Sequence, residues 1–168
     1  MVRPLGETRF QSQGLTLGIL IPSRLGRQKW LRSYFADAVL LFVVDLASYD
    51  DVDGFQTGPI DIRLQEFPHV IEKGYFSKTS VVLFFNNVDI FQQKMAMIPL
   101  STYFPDFTGG HNSVEGLKYF HRRFSELNRS GRNLYTRFAP SDFASSKPDL
   151  DFLMSAARDT VLRRAFER

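Results

Sequence analysis

Residues Ser80 to Asp89, SVVLFFNNVD, join the strongest apolar run in the chain to a small polar cluster. Val81 to Phe85 is short, branched and aromatic, the composition of a strand buried on both faces in a sheet covered by helices. The run ends in Asn86, Asn87 and Asp89. In open α/β sheets a ligand sits beyond the carboxyl ends of the strands, so polar residues at this place mark a candidate site. The competing reading is a helix-capping turn, because Asn and Asp are also common cap and loop residues.

Working outward, AVLLFVVDL over Ala38 to Leu46 reads as a second buried strand. It too meets polar residues at its end: Asp45, Ser48, Tyr49, Asp50 and Asp51. Residues 52–59 carry Gly54, Gly58 and Pro59 and read as a loop. Ile60, Leu64, Phe67 and Ile71 then recur at helical spacing, with Pro68 expected to kink or end that helix. Further upstream, Thr8 to Gln11 and Leu15 to Ile21 have hairpin spacing around Ser12, Gln13 and Gly14. Trp30, Leu31, Tyr34 and Phe35 suit a short amphipathic helix.

Downstream of the central strand, Phe91 to Met97 reads as a short helix and Pro99 to Asn112 as an irregular loop. Leu117, Phe120, Phe124 and Leu127 form one apolar stripe on a helix from Val114 to Asn128. Leu134 to Phe138 is a last strand, followed by the polar loop APSDFASSKPD. A C-terminal helix begins near Pro148 and runs through Leu153, Ala157, Val161 and Leu162 towards Phe166. Strands alternating with helices predict βα units, a mostly parallel sheet and, over 168 residues, a single domain.

Composition narrows the function. A chain that is 43% hydrophobic with 17 Phe is globular rather than disordered. Lys118, Arg122, Arg123, Arg129, Arg132 and Arg137 gather between Glu115 and Arg137, which read either as a footprint for nucleic acid or anionic lipid or as a solvated helix face. No aromatic interleaving or zinc-finger pattern accompanies them, so no nucleic-acid partner is expected. The absence of cysteine excludes disulfides, a thiolate nucleophile, palmitoylation and prenylation, and Val2 excludes N-myristoylation. Ala38 to Val44 is too short to span a bilayer and no signal-peptide core is present, so the expectation is a soluble intracellular protein. His69, His111 and His121 lie far apart and read as surface or capping residues, and no Gly-x-Ser-x-Gly elbow occurs.

In sequence order the residues resemble the α subunits of heterotrimeric G proteins, over the second half of their Ras-like GTPase domain. Lys29-Trp30, Phe42-Val43-Val44, Leu46 and Tyr49-Asp50 are similar to the family's run from the switch II helix through the next strand. Phe76, Thr79-Ser80, Leu83-Phe84, Asn86 and Asp89 resemble the strand leading into the guanine-specificity motif Asn-Lys-x-Asp. Pro99-Leu100, Tyr103-Phe104-Pro105, Thr108-Gly109, Phe124, Leu127-Asn128, Tyr135-Thr136 and Phe138 continue the resemblance across nearly the whole chain. It implies an α/β fold of three layers around a mostly parallel sheet, of the P-loop GTPase type. The strand carrying the phosphate loop and the helical insertion domain are expected to be lacking, so that 1–168 would form one partial Ras-like domain.

The resemblance also implies roles. Asp89 matches the motif's Asp, which accepts hydrogen bonds from the guanine ring N–H and exocyclic amine. Asn86 matches the Asn that supports the base and neighbouring loops. Asn87 stands where the family has Lys, which loses a stem that would cover the base. The second base-contacting loop falls on Ala139, Pro140, Ser141 and Asp142, with the Ser141 N–H placed to meet the guanine carbonyl. On the C-terminal helix, Asp149, Leu153, Arg158, Leu162 and Phe166 become the candidate receptor-facing residues. Partners implied are a βγ dimer, a G-protein-coupled receptor and an effector, with cytoplasmic localisation and membrane association only through those partners.

Other family parts are missing from this sequence. No Gly is followed by Lys, so the phosphate cradle Gly-x-x-x-x-Gly-Lys-Ser/Thr does not occur. Val2-Arg3-Pro4 and Gly6 resemble the first switch after its catalytic arginine, with Pro4 in place of the magnesium-binding threonine. The second switch falls on Ile19, Leu20, Ile21, Pro22 and Ser23, without its Asp, Gly and Gln. Phosphoryl transfer depends on such donors, so no catalytic residue is assigned and Mg²⁺ has no ligands here. GTP or GDP binding is expected to be weak or absent. Three classes of function follow: a G-protein α subunit in signalling with GTPase activity implied by family, a catalytically inactive module that binds receptor, effector or βγ, and a basic nucleic-acid or lipid binder. Loss of the phosphate-loop strand is further expected either to leave a gap between the strands matching Leu15 to Ile21 and Val39 to Asp45 or to force them together.

Overall fold

The computed structural model describes residues 7–12, 15–20, 39–52, 57–72, 79–142 and 147–166. Five strands form two sheets among them. β1 (Glu7–Ser12) and β2 (Leu15–Leu20) make an antiparallel pair whose register runs from Glu7 opposite Leu20 to Ser12 opposite Leu15. β3 (Leu40–Asp45), β4 (Val81–Asn86) and β5 (Leu134–Phe138) form a parallel sheet in the order β3-β4-β5. Parallel neighbours need crossovers, and α1 (Pro59–Ile71) supplies the first. α2 (Val88–Met97) and α3 (Ser113–Glu126) supply the second, and α4 (Lys147–Phe166) follows β5. Among the described residues β2 and β3 do not pair with each other. The two strands are therefore not forced together. The helix expected around Trp30 to Phe35 lies outside the described residues.

The central strand behaves as its composition demands. Val81, Val82, Leu83, Phe84 and Phe85 are all buried, and their alternation sends side chains to two faces. On one face Val81, Leu83 and Phe85 join Phe42 and Val44 of β3 with Ile60, Leu64, Phe67 and Ile71 of α1 and Phe120 and Phe124 of α3. Phe124 packs edge-on against Phe67 at 5.4 Å and Phe85 at 5.6 Å between ring centroids, the arrangement aromatic quadrupoles favour. On the other face Val82 and Phe84 meet Ala139 and Ala156, with Leu153 partly buried beside them. This is the three-layer arrangement: helices α1 and α3, the sheet, then α4.

Local signals explain the helix ends. Pro59 sits at the first turn of α1, where its missing N–H costs nothing, and Asp61 accepts a hydrogen bond from the Gly58 N–H at 3.1 Å. Pro68 does not end α1, which continues to Ile71: its ring forfeits one N–H bond, that to the Leu64 carbonyl, and the helix closes a turn later with the Glu72 N–H on the Pro68 carbonyl at 3.0 Å. Asn112 caps α3, accepting from the Val114 and Glu115 N–H groups. Gly116 lets α3 close on α2, since a Cβ there would come within 2.7 Å of Met95 Sδ and 2.9 Å of the Phe91 ring.

Candidate functional site

β3, β4 and β5 run parallel, so their carboxyl ends and the turns after them lie at one edge. In register, Asp45 of β3 stands beside Asn86 of β4, and Phe85 of β4 beside Phe138 of β5. Two backbone bonds then tie the turn after β4 to the turn after β5. Ala139 N–H donates to the Phe85 carbonyl at 2.8 Å, and Val88 N–H donates to the Ala139 carbonyl at 3.1 Å. Ala139 is fully buried, so both bonds are shielded from water.

This lacing brings Asp89 and Ser141 together across 52 residues. The Ser141 N–H donates to Asp89 Oδ1 at 2.8 Å, and the Ser141 hydroxyl donates to Asp89 Oδ2 at 2.7 Å. The hydroxyl first, and the backbone N–H groups of Ser141, Ile90 and Asp89 itself, hold the carboxyl below its ordinary value against a smaller opposing effect of desolvation.

Asn87 adopts the left-handed conformation, φ 58° and ψ 37°, and makes the sharp turn from β4 into α2. Its side chain makes no cap bond. Instead Nδ2 donates to Asp45 Oδ1 at 2.7 Å, and the same oxygen accepts from the Ala47 N–H at 3.0 Å. Asn87 thus stands at the N-cap position of α2 without capping it through its side chain, whereas Asp45 does cap the 3₁₀ turn that follows β3. Asn86 is partly buried, and its Oδ1 is shielded from solvent without a hydrogen-bond partner among the described residues. A buried amide oxygen left unpaired is costly, so it marks a place where a donor is wanted.

The three residues read from the opening stretch and Ser141 of the last loop are therefore brought to one corner. Asp45 belongs there too, as the partner of Asn87. The signal was available: Asp45 ends one parallel strand as Asn86 ends its neighbour. Lys94 was not singled out from sequence, yet its ammonium bridges Asp50 Oδ1 at 2.6 Å and the Ala47 carbonyl at 2.8 Å, bracing α2 against the short 3₁₀ turn Leu46–Ser48.

Elsewhere the polar residues are mostly occupied. Lys118 pairs with Glu115 and Arg122 with Glu126 on the exposed side of α3. Arg123 donates to the Tyr119 hydroxyl, which donates to Asp106. A helix face of internally paired charges is a solvated surface more than an anion-binding stripe. His69 meets the Gln65 carbonyl and His111 the Met95 carbonyl. Among the described residues no three His, Asp or Glu side chains lie together as a metal site, and no helix is long and apolar enough to cross a membrane. On α4, Leu153 packs towards the sheet, while Arg158 and Leu162 are exposed, so these do not share one face. Asp149 and Phe166 lie on the same helix.

A three-stranded parallel sheet with helices on both faces is consistent with a partial P-loop GTPase-like domain. The sequence profile of the G-protein alpha subunit family matches residues 7–161. A guanine nucleotide-binding protein subunit alpha of Cryptococcus neoformans is 32% identical over 167 residues, covering 96% of this chain and 38% of that protein. The guanine nucleotide-binding protein alpha-3 subunit of Neurospora crassa is 32% identical over 166 residues, 96% of this chain and 46% of that protein. The alpha-2 subunit of Saccharomyces cerevisiae is 30% identical over 148 residues, 86% of this chain and 32% of that protein. The chain belongs to the G-protein α-subunit family. It spans less than half the length of these relatives.

Proposed function

We propose that this chain is a G-protein α-like signalling module that recognises a guanine base at the corner formed by Asn86, Asp89 and Ser141 and does not itself hydrolyse GTP. The observation that carries the reading is the juxtaposition of the Asp89 carboxylate with the Ser141 N–H. An ionised carboxylate accepts two parallel N–H donors, which guanine presents at its ring N–H and exocyclic amine and adenine does not. The shielded, unpartnered Oδ1 of Asn86 is consistent with a ligand that brings a donor. The names of the matched relatives, which call them guanine nucleotide-binding, favour the same base.

The phosphate end has no comparable support. The sequence holds no Gly-Lys pair of a phosphate cradle, and phosphate contacts supply much of the affinity in such sites. The protein's signalling role then lies in what it binds: a βγ dimer, a receptor or an effector, as family membership suggests.

Equilibrium binding of GDP and of a non-hydrolysable GTP analogue to the purified chain, with ATP as control and with Mg²⁺ added or omitted, tests the reading. The expected result is weak guanine-selective binding that ignores Mg²⁺ and is lost in Asp89→Asn. Tight Mg²⁺-dependent binding with turnover would contradict the non-hydrolysing part, and binding of ATP as well as GDP would remove the guanine reading altogether.

A further inference from the structure

We propose that Ser130 is a phosphorylation site whose phosphate is received by the guanidinium of Arg132. The site is independent of the guanine reading and lies at the other end of the sheet, in the turn that leads from α3 into β5. Arg129, Ser130 and Gly131 are exposed there, so an enzyme can reach the serine hydroxyl. The turn itself is held firmly. Asn128 Oδ1 accepts from the Arg132 N–H at 3.1 Å, Asn128 Nδ2 donates to the Arg132 carbonyl at 2.8 Å, and the Gly131 N–H donates to the Asn128 carbonyl at 3.1 Å. Gly131 has a φ of 62°, the left-handed conformation that closes the turn. The Val81 N–H then ties the Asn133 carbonyl to β4 at 2.9 Å.

The neighbouring cation sets this serine apart. Arg63, Arg122 and Arg123 each face a carboxylate, whereas Arg132 faces a hydroxyl: its Nε–H donates to Ser130 Oγ at 3.2 Å. Among the described residues no carboxylate forms an ion pair with Arg132, and its Nη1 is shielded from solvent without a hydrogen-bond partner. Burial pulls the guanidinium below its ordinary value, and Glu72 at the end of α1 offsets that only in part. A partly buried cation without an anion in contact carries a cost that an added anion relieves. Nε–H and the adjacent Nη2–H form one fork, the geometry that takes two oxygens of a phosphate. A phosphate on Ser130 Oγ starts beside that fork, because the hydroxyl it replaces already does. The modification needs ATP and a protein kinase that accepts arginine on both sides of its target. Ser130 Oγ attacks the γ-phosphorus, the Oγ–P bond forms as the bond to the bridging oxygen of ADP breaks, and the hydroxyl proton passes to the kinase's base. At neutral pH the phosphate adds a charge of about −1.5 to −2, offsetting Arg129 and Arg132. The result is a charge switch at the end of the sheet opposite the base corner.

The test has two arms. In the first, the purified chain and Ser130→Ala are incubated with Mg²⁺-ATP and a serine kinase selective for flanking arginines, and the products are mapped by mass spectrometry. Phosphate at Ser130, absent from Ser130→Ala, is expected. A folded chain that takes none there overturns the modification. In the second, phosphoserine is installed at position 130 during synthesis and its ³¹P resonance is titrated in the parent sequence, in Arg132→Gln and in Arg132→Lys. Both variants keep the backbone bonds that hold the turn. The guanidinium favours the dianion, so the phosphate should be roughly two- to fivefold more acidic in the parent than in Arg132→Gln. Arg132→Lys keeps the charge and loses the fork, so it should recover only part of that difference. Equal titration in the parent and Arg132→Gln overturns Arg132 as the receiver, and full recovery in Arg132→Lys overturns the fork. Inorganic phosphate is the control for a free anion: if it shifts the Arg132 Nε–H resonance of the unmodified chain at micromolar concentration while none is incorporated, the modification is overturned in favour of an anion site.

Discussion

The aromatic core under α1 and α3 and the polar corner beyond the strand ends are built by opposite rules. In the core, Phe42, Phe67, Phe85 and Phe124 meet ring against ring, and all four are buried. Their attraction comes from area removed from water and from many weak contacts, so it depends on volume and little on direction. At the corner Asp45, Asn87, Asp89 and Ser141 reach towards solvent and are held by a few short, directed bonds. Such bonds exchange for water at little net cost, so they shape recognition more than they hold the fold. The division predicts that substitutions in the core change stability most and substitutions at the corner change it least.

The sharpest way to break that contrast is Phe124→Ala. Deleting a ring that touches three other phenylalanines is expected to destabilise by about 3–5 kcal/mol, read by denaturant unfolding. Leu153→Ala, on the thinner face beneath α4, should cost about 2 kcal/mol at most because that side chain is only partly buried. Equal losses at the two positions would refute the inequality of the faces.

Next in size is an alkaline transition. Burial first, and the neighbouring Asp50 next, push the Tyr49 phenol up to about 12, and burial with the Asp106 hydrogen bond pushes Tyr119 up to about 12 as well. Unfolded tyrosines release their protons near pH 10, so between roughly pH 10 and 12 the unfolded state binds fewer protons than the folded one. Stability should therefore fall as pH rises through that window. Tyr49→Phe is expected to flatten part of the decline in a series of unfolding curves, at the loss of its 2.7 Å bond to the Ile98 carbonyl.

The smallest effect belongs to the corner. Asn87→Gly keeps the left-handed turn accessible and removes only the bond to Asp45, so it should change stability by less than about 1 kcal/mol. A large loss of unfolding free energy here would show that the corner holds the fold, contrary to the division drawn above.

Much of the fold was legible along the chain. The five-residue apolar run of β4 and the stripe Leu117, Phe120 and Phe124 of α3, continued by Leu127 at its C-cap, announce themselves because burial on two faces and burial on one face leave different periods. Pro59 and Asn112, read as loop residues, turn out to open α1 and to cap α3. Of the two outcomes expected at Pro68, an end to the helix is not the one observed, since α1 runs on to Ile71 at the loss of one backbone donor. The resemblance of Asn86 and Asp89 to a guanine motif was equally visible, being confined to one short stretch.

What the chain's order did not disclose was who bonds to whom. Asp45 and Asn87 were both noted as polar strand-end residues, but their pairing spans 42 residues and follows from the register of β3 on β4. The Ser141 N–H, expected to meet a base, is turned onto Asp89 together with its hydroxyl. Residue type and spacing dictate strands, helices and the side each buries, because hydrophobic patterning acts locally and repeats along the chain. Hydrogen bonds are short and directional, so their partners are chosen only once the parallel sheet has brought distant turns within 3 Å of one another.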